Sequence, residues 1–268
     1  MSTTELDRFI QEARADRQGT LIALDVDGTV SAIVASPDEA TVSDELRATL
    51  EGVLASYPLW FVSGREADVA REIVGIAAAG YVGAHGLEVL DGDGLRPLVA
   101  GPDLQPLLGQ VIEAVTNDVP EAALYVERKR WGVSFHYREL ASSPELPARL
   151  RRSIEARLTP ELSLRTGKMV YEVVPALGRD KGTALTWLID TIHPRRALVA
   201  GDDLTDLTMF RVLAERRSDG DIAGLVVAVL HGAETPEELV AAADVSVEGV
   251  PGLHRLLTTL LGESDRSA

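Results

Sequence analysis

The chain has 268 residues, 46% hydrophobic and 25% charged, enough to bury one large apolar core or two moderate ones and unlike the composition of a disordered segment. A net charge of −16 repels phosphate backbones, so nucleic acid is not an expected partner. With no cysteine, disulfides, thiolate nucleophiles and thiolate zinc sites are excluded; oxygen and nitrogen ligands remain, and a reducing compartment is compatible.

In chain order, Met1 to Gly19 carries acidic residues and no apolar signal core, and no later stretch reaches the roughly 20 apolar residues of a membrane span. A cytoplasmic protein with no membrane partner is expected. Leu21–Asp25 predicts a strand that runs directly into Asp25-Val26-Asp27-Gly28, two carboxylates spaced i, i+2 before a turn-permitting glycine. Leu46, Leu50, Val53 and Leu54 share a helical face. Strand Leu59–Val62 then leads into Ser63-Gly64-Arg65, and a further helix precedes strand Gly80–Gly83. This alternation predicts βαβ units and a parallel sheet.

From about Gly101 to Gly178 the order changes to helix, strand, strand, helix, strand, strand, the pattern of an inserted α+β unit. Leu104, Leu107, Leu108, Val111, Ile112 and Val115 define its first helix, and the second is expected to start at Ser143-Pro144. Gly92 and Gly94 before the insert and Gly178 after it are places where hinge motion would be cheap. The parallel pattern then resumes. Ala184, Leu185, Leu188, Ile189 and Ile192 form a helical stripe, strands follow at Ala197–Ala200 and Leu225–Val229, and Thr235-Pro236-Glu237-Glu238 predicts a capping box with proline at the first helical position. The expected fold is α/β: a Rossmann-like parallel-sheet core from residues 1–101 and 179–268, with an inserted α+β cap at 102–178.

Ligands of parallel α/β sheets collect beyond the carboxyl ends of the strands. Asp25 and Asp27, Ser63-Gly64-Arg65, and Gly201-Asp202-Asp203-Leu204-Thr205-Asp206 all follow predicted strands, and Lys181 precedes the helix leading into the last of them. Most have a commoner explanation when taken singly. Asp and Gly are ordinary turn residues, Ser63 suits a helix cap, and acidic residues suit a helix N-terminus. Lys181 opposes the helix dipole, so its position calls for a nearby anion. Jointly, in this order and placement, the four favour a site for a hard, oxygen-seeking cation such as Mg2+ and an anionic substrate.

These residues resemble the haloacid dehalogenase superfamily of phosphohydrolases, whose signature is DxD after strand one, Ser or Thr after strand two, a Lys, and a GDD-type acidic motif. The resemblance implies Mg2+ held by the Asp25 carboxylate, the Asp27 backbone carbonyl and Asp202, with Asp206 and Asp203 in support. It places Ser63 and Lys181 on the phosphoryl oxygens, with Arg65 beside them at the substrate or orienting the loop. Asp25 would attack phosphorus to give an aspartyl phosphate that water hydrolyses, and Asp27 would serve as acid and then base.

In the insert, strand alternation separates Val133, Phe135 and Tyr137 from Ser134, His136 and Arg138. Glu127 and Lys129 share a face on the preceding strand, as do Lys168 and Glu172 on a later one. Such a polar side suits polyhydroxyl groups, although any one-sided antiparallel sheet also shows polar residues to water. The chain is similar to the trehalose-6-phosphate phosphatase family through Leu24-Asp25-Val26-Asp27-Gly28-Thr29, Val62-Ser63-Gly64-Arg65, Gly83-Ala84-His85-Gly86-Leu87-Glu88, Phe135-His136-Tyr137-Arg138, Asp180-Lys181-Gly182 and the 201–206 motif. Its more specific signals are Glu127, Lys129, His136, Arg138, Lys168 and Glu172, which the resemblance implies grip glucose hydroxyls, Glu127, Lys129 and Glu172 foremost. Val26, Leu207 and Val174 depart from the family pattern, and His85 and His136 are expected to be structural or hydrogen-bonding groups, not metal ligands, since no second histidine sits at ligand spacing.

The implied activity is hydrolysis of trehalose 6-phosphate to trehalose and phosphate. The alternatives are another capped sugar phosphatase, of sucrose-phosphate or mannosylglycerate-phosphate type, a phosphomutase, or, in a different class, a non-catalytic sugar-phosphate sensor or synthase partner. The chain is too short to carry a glycosyltransferase beside this core and insert, so coupling to a separate trehalose-6-phosphate synthase is expected.

Overall fold

The computed structural model describes residues 3–34, 39–99, 103–138, 145–167 and 169–262. The chain divides into two units, Met1–Leu98 with Arg179–Ala268, and Val99–Gly178. The first begins with α1 (Thr3–Ala15), β1 (Thr20–Leu24), α2 (Asp44–Ser56), β2 (Leu59–Val62), α3 (Ala67–Val74), β3 (Gly80–Gly83), β4 (Glu88–Asp91) and β5 (Gly94–Pro97). The second contains α4 (Gln105–Asp118), β6 (Val126–Lys129), β7 (Gly132–His136), α5 (Glu145–Glu155), β8 (Leu162–Gly167) and β9 (Val170–Pro175). The first unit then resumes with α6 (Lys181–Ile192), β10 (Arg196–Gly201), α7 (Leu207–Ser218), β11 (Ala223–Leu230), α8 (Glu237–Ala242), β12 (Val245–Glu248) and α9 (Gly249–Leu261).

Among the described residues the first unit's sheet has the order β12-β11-β10-β1-β2-β3-β4-β5. It is parallel from β12 to β3, and β4 and β5 extend it antiparallel. β1 lies between β10 and β2 and is buried on both faces, which is why it reads as an unbroken apolar run instead of alternating. Ile22 and Leu24 join a core with Leu50 of α2 and Leu257 of α9, whereas Leu21 and Ala23 join another with Leu185 of α6 and Phe210 of α7. Burying each of these leucine, isoleucine and phenylalanine side chains contributes about 1.5–3 kcal/mol. Ser43 starts α2 by accepting the Leu46 N–H at 3.3 Å.

Two expectations are corrected. Gly92 and Gly94 do not lie at a crossing between units: they form the turn of the β4–β5 hairpin, where Asp91 pairs with Gly94 and Gly94 adopts φ +92°. Strands of four residues leave too short a pattern to separate such a hairpin from a linker. Nor is there a capping box at α8. Pro236 is the N-cap, and the Thr235 hydroxyl instead accepts the His231 N–H at 2.6 Å, so it is engaged before the helix begins.

The second unit holds an antiparallel sheet of order β6-β7-β9-β8. Val133, Phe135 and Val173 pack with Leu108, Val111 and Val115 of α4 and with Leu150 and Ile154 of α5. Tyr137 and Tyr171 stack with centroids 4.6 Å apart. The expected start at Ser143-Pro144 lies outside the described residues. No helix among the described residues is long and apolar enough to cross a membrane.

Candidate active site

The site is built where β1 and β10 end side by side. The Asp25 N–H donates to the Ala200 carbonyl at 3.0 Å, and the chain then turns sharply as the Thr29, Val30 and Ser31 amides converge on the Val26 carbonyl. Gly28 has φ +83°, and a Cβ there would overlap the Asp202 carboxylate, so conformation and space both require glycine. A Cβ on Gly201 would likewise overlap Asp206. These two glycines let the acidic loop after β10 sit directly on the turn after β1.

Lys181 supplies the cation. Asp180 caps α6 by accepting the Thr183 N–H at 2.8 Å, while the Thr183 hydroxyl accepts the Asp180 N–H at 3.1 Å, fixing the helix start that carries the lysine. Lys181 is only 4% exposed, and its Nζ donates to Asp25 Oδ1 at 2.7 Å and to Asp206 Oδ1 at 2.8 Å. Asp206 Oδ2 accepts the N–H groups of Asp202 and Asp203 at 3.0 and 3.2 Å, and the Thr29 hydroxyl donates to Asp202 Oδ1 at 3.3 Å.

Asp25, Asp202 and Asp206 each offer an oxygen, all within 4.8 Å of one another. Three buried carboxylates thus face one ammonium. Burial pushes Asp25 up to about 7, against the pull of Lys181; burial, with Asp206 and Asp203 nearby, pushes Asp202 to about 7; burial, with Asp25 nearby, does the same to Asp206. Burial would lower Lys181, but Asp206 and Asp25 outweigh it and raise it above its ordinary value. An all-oxygen donor set with excess negative charge out of water fits a small, hard divalent cation.

Asp27 is held differently. Its carboxylate, 42% exposed, is gripped on both oxygens by Arg65, Nε at 2.8 Å and Nη2 at 2.7 Å, and does not belong to the three-carboxylate cluster. Ser63 is buried at the end of β2, its hydroxyl accepting the Arg65 N–H at 3.1 Å. The segment after β3 clamps this loop: the His85 N–H donates to the Ser63 carbonyl at 3.0 Å and the Ala84 N–H to the Arg65 carbonyl at 2.7 Å. Ala84 and His85 adopt left-handed φ of +49° and +55°, uncommon for non-glycine residues, and the His85 ring occupies the space where a Cβ on Gly64 would sit. Buried Glu88 accepts the Ala67 N–H at 2.7 Å, doing for α3 what a capping side chain usually does.

In the second unit, Lys129 Nζ donates to Glu172 Oε1 at 2.7 Å, and His136 Nε2 lies 2.9 Å from Glu127 Oε2. Arg138 is exposed, and Lys168 lies outside the described residues. The sequence placed Ser134 on the polar face without its partner, and it missed His231 altogether. Ser134 is fully buried and donates to Glu172 Oε1 at 2.9 Å; its place directly opposite Glu172 is set by strand register, which alternation alone does not reveal. His231 follows β11 and contacts the Gly28 carbonyl at 2.7 Å; its one signal was its place at the carboxyl end of a parallel strand.

A family model described as trehalose-phosphatase matches residues 23–246. The chain is 33% identical over 236 residues to a trehalose-phosphate phosphatase of Mycobacterium marinum, covering 80% of this chain and 58% of that one. It is 31% identical over 251 residues to the probable trehalose-phosphate phosphatase 9 of Oryza sativa subsp. japonica, covering 80% and 64%. The chain therefore spans about three fifths of the length of these relatives. Among solved structures, it superposes on the C-terminal domain of a C. albicans trehalose-6-phosphate phosphatase with TM-score 0.70 and 23% identity, covering 96% of this chain and 97% of that one. With BT1666 of Bacteroides thetaiotaomicron, a phosphatase of the haloalkanoate (HAD) superfamily, the TM-score is 0.57 at 20% identity, covering 92% and 97%. These structural likenesses are likenesses of fold.

Proposed function

Because the chain belongs to the trehalose-phosphatase family, we propose that it hydrolyses trehalose 6-phosphate to trehalose and inorganic phosphate. The observation carrying this reading is the Lys181 ammonium bridging Asp25 and Asp206, with Asp202 beside them, at the carboxyl edge of a parallel sheet. Asp25, Asp202 and Asp206, with the Asp27 carbonyl, would hold Mg2+, which when bound would offset the charge of the carboxylates and of the substrate phosphate.

The chain's own groups then divide the work. Asp25 is the nucleophile: one carboxylate oxygen attacks phosphorus, the bond from phosphorus to the sugar oxygen breaks, and an aspartyl phosphate forms. Lys181 fixes the attacking carboxylate, and Ser63 contacts a phosphoryl oxygen from a loop that His85 and Glu88 keep rigid. Asp27 gives a proton to the leaving sugar oxygen, then takes one from the water that cleaves the acyl phosphate, a role typically worth about 10²–10⁴-fold. An oxygen that carries that proton is a poor acceptor, so Arg65 must release one of its two bonds to Asp27 during the cycle and is then placed to meet the phosphate.

Sugar recognition is assigned to the polar face of the second unit's sheet, where Glu127, Lys129, His136 and Glu172 form linked ion pairs and hydrogen bonds, with Arg138 and Lys168 as further contacts. A synthase acting upstream would supply the substrate. A phosphate-release panel tests the reading. Trehalose 6-phosphate should be turned over well above glucose 6-phosphate and sucrose 6-phosphate, and equal rates for the three would reject the assignment.

A further inference from the structure

We propose that His231 is a positioning residue for the cation site, holding the turn after β1 so that Asp202 keeps its place beside Asp25. The proposal rests on the reading of Asp25, Asp202 and Asp206 as a cation site and assigns a role to a histidine that no motif contains. His231 Nε2 lies 2.7 Å from the Gly28 carbonyl oxygen. A carbonyl only accepts, so Nε2 carries the hydrogen. The same nitrogen stands 3.8 Å from Asp202 Oδ2, beyond hydrogen-bond reach but with its positive end near the carboxylate. The ring's origin is anchored in turn, since the His231 N–H donates to Thr235 Oγ1 at 2.6 Å.

The bonded carbonyl belongs to the peptide joining Gly28 to Thr29, and both residues touch Asp202. The Asp202 carboxylate fills the space above the Gly28 Cα, and the Thr29 hydroxyl donates to Asp202 Oδ1 at 3.3 Å. Rotation of that peptide would move the wall behind Asp202 and its hydroxyl donor together. The turn as such does not need the histidine: three amides already converge on the Val26 carbonyl, and the Gly28 N–H donates to the Ser31 carbonyl at 2.8 Å. Losing His231 therefore loosens the placement of Asp202 while leaving the fold in place. The effect is on cation affinity.

Calorimetric titration of Mn2+ into metal-free protein, without substrate, tests this. His231→Ala should bind about 10-fold more weakly than wild type, the usual size of a lost outer hydrogen bond at a metal site, and His231→Gln, whose amide N–H reaches about as far as Nε2–H, should recover to within about threefold. His231→Asn is too short and should behave like alanine. Melting temperatures of these variants in EDTA should stay close to wild type. Alanine binding within about twofold of wild type, or glutamine no better than asparagine, overturns the proposal. Should the alanine variant fail to fold, the glutamine and asparagine pair decides. No Mn2+ uptake by wild type would remove the cation-site reading and this proposal with it. Normal uptake with the predicted variant series but no hydrolysis of trehalose 6-phosphate would refute the substrate assignment alone and support the role of His231.

Discussion

Replacing Lys181 by methionine keeps most of the side chain's volume and deletes the ammonium that donates to Asp25 and Asp206. In the metal-free wild type these carboxylates stand at about 7, above the 3.8 they have in an unfolded chain. Between those values the folded state binds more protons than the unfolded state, so stability is highest at low pH and falls as pH rises through the window. Without the lysine both carboxylates move higher still and hold their protons more strongly at pH 8. Removing one partner of a buried ion pair usually costs about 3–5 kcal/mol, so a loss of about 3 kcal/mol is expected at pH 8, where the wild-type carboxylates are largely ionised. For a unit of this size that lowers the melting temperature by about 6–12 °C. At pH 5 the carboxylates of both proteins are largely protonated, and the gap should shrink markedly. The assay is thermal unfolding of wild type and Lys181→Met in EDTA at pH 5 and pH 8. A gap equally large at both pH values, or absent at pH 8, would refute the electrostatic account and leave only packing.

Other consequences follow from the same geometry. Asp25→Asn should lower turnover by more than about 10⁴-fold while the protein stays folded, as loss of a covalent nucleophile does; phosphate release near the wild-type rate would exclude Asp25 from the chemistry. Wild-type protein in EDTA should melt progressively lower as pH rises from about 4 to about 7, because Asp25, Asp202 and Asp206 all have raised values, and a saturating divalent cation should flatten that slope. A slope unchanged by the cation would argue against those three carboxylates as its ligands. Ser134→Ala should raise KM for trehalose 6-phosphate about 10-fold by removing one bond to the Glu172 carboxylate, with p-nitrophenyl phosphate turnover unchanged. Loss of both activities together would mean that Ser134 supports the fold and not recognition. Gly28→Ala should weaken cation binding in calorimetry, since its Cβ displaces the Asp202 carboxylate; unchanged affinity would show that the loop adapts.

What the sequence could decide was whatever is written within a few residues. The apolar run of β1 entering Asp25-Val26-Asp27-Gly28, the helical stripe of α6 and the alternation of Val133 and Phe135 are each set by local period and turn chemistry, so element type and layer order were legible. The β4–β5 hairpin was not, because its strands are too short to show a period. Tertiary structure alone decided which charges meet. Lys181 reaches Asp25 across 156 positions, Thr29 reaches Asp202 across 173, and His231 reaches Gly28 across 203. Strand order determines those distances, since β10 pairs with β1 and β11 with β10, bringing their carboxyl ends to one edge of the sheet. The bidentate grip of Arg65 on Asp27 has the same origin, because the guanidinium spans the ends of two adjacent strands, a proximity with no local signature. Hydrophobic period specifies the strands and their faces; electrostatic partnership depends on the packing that follows.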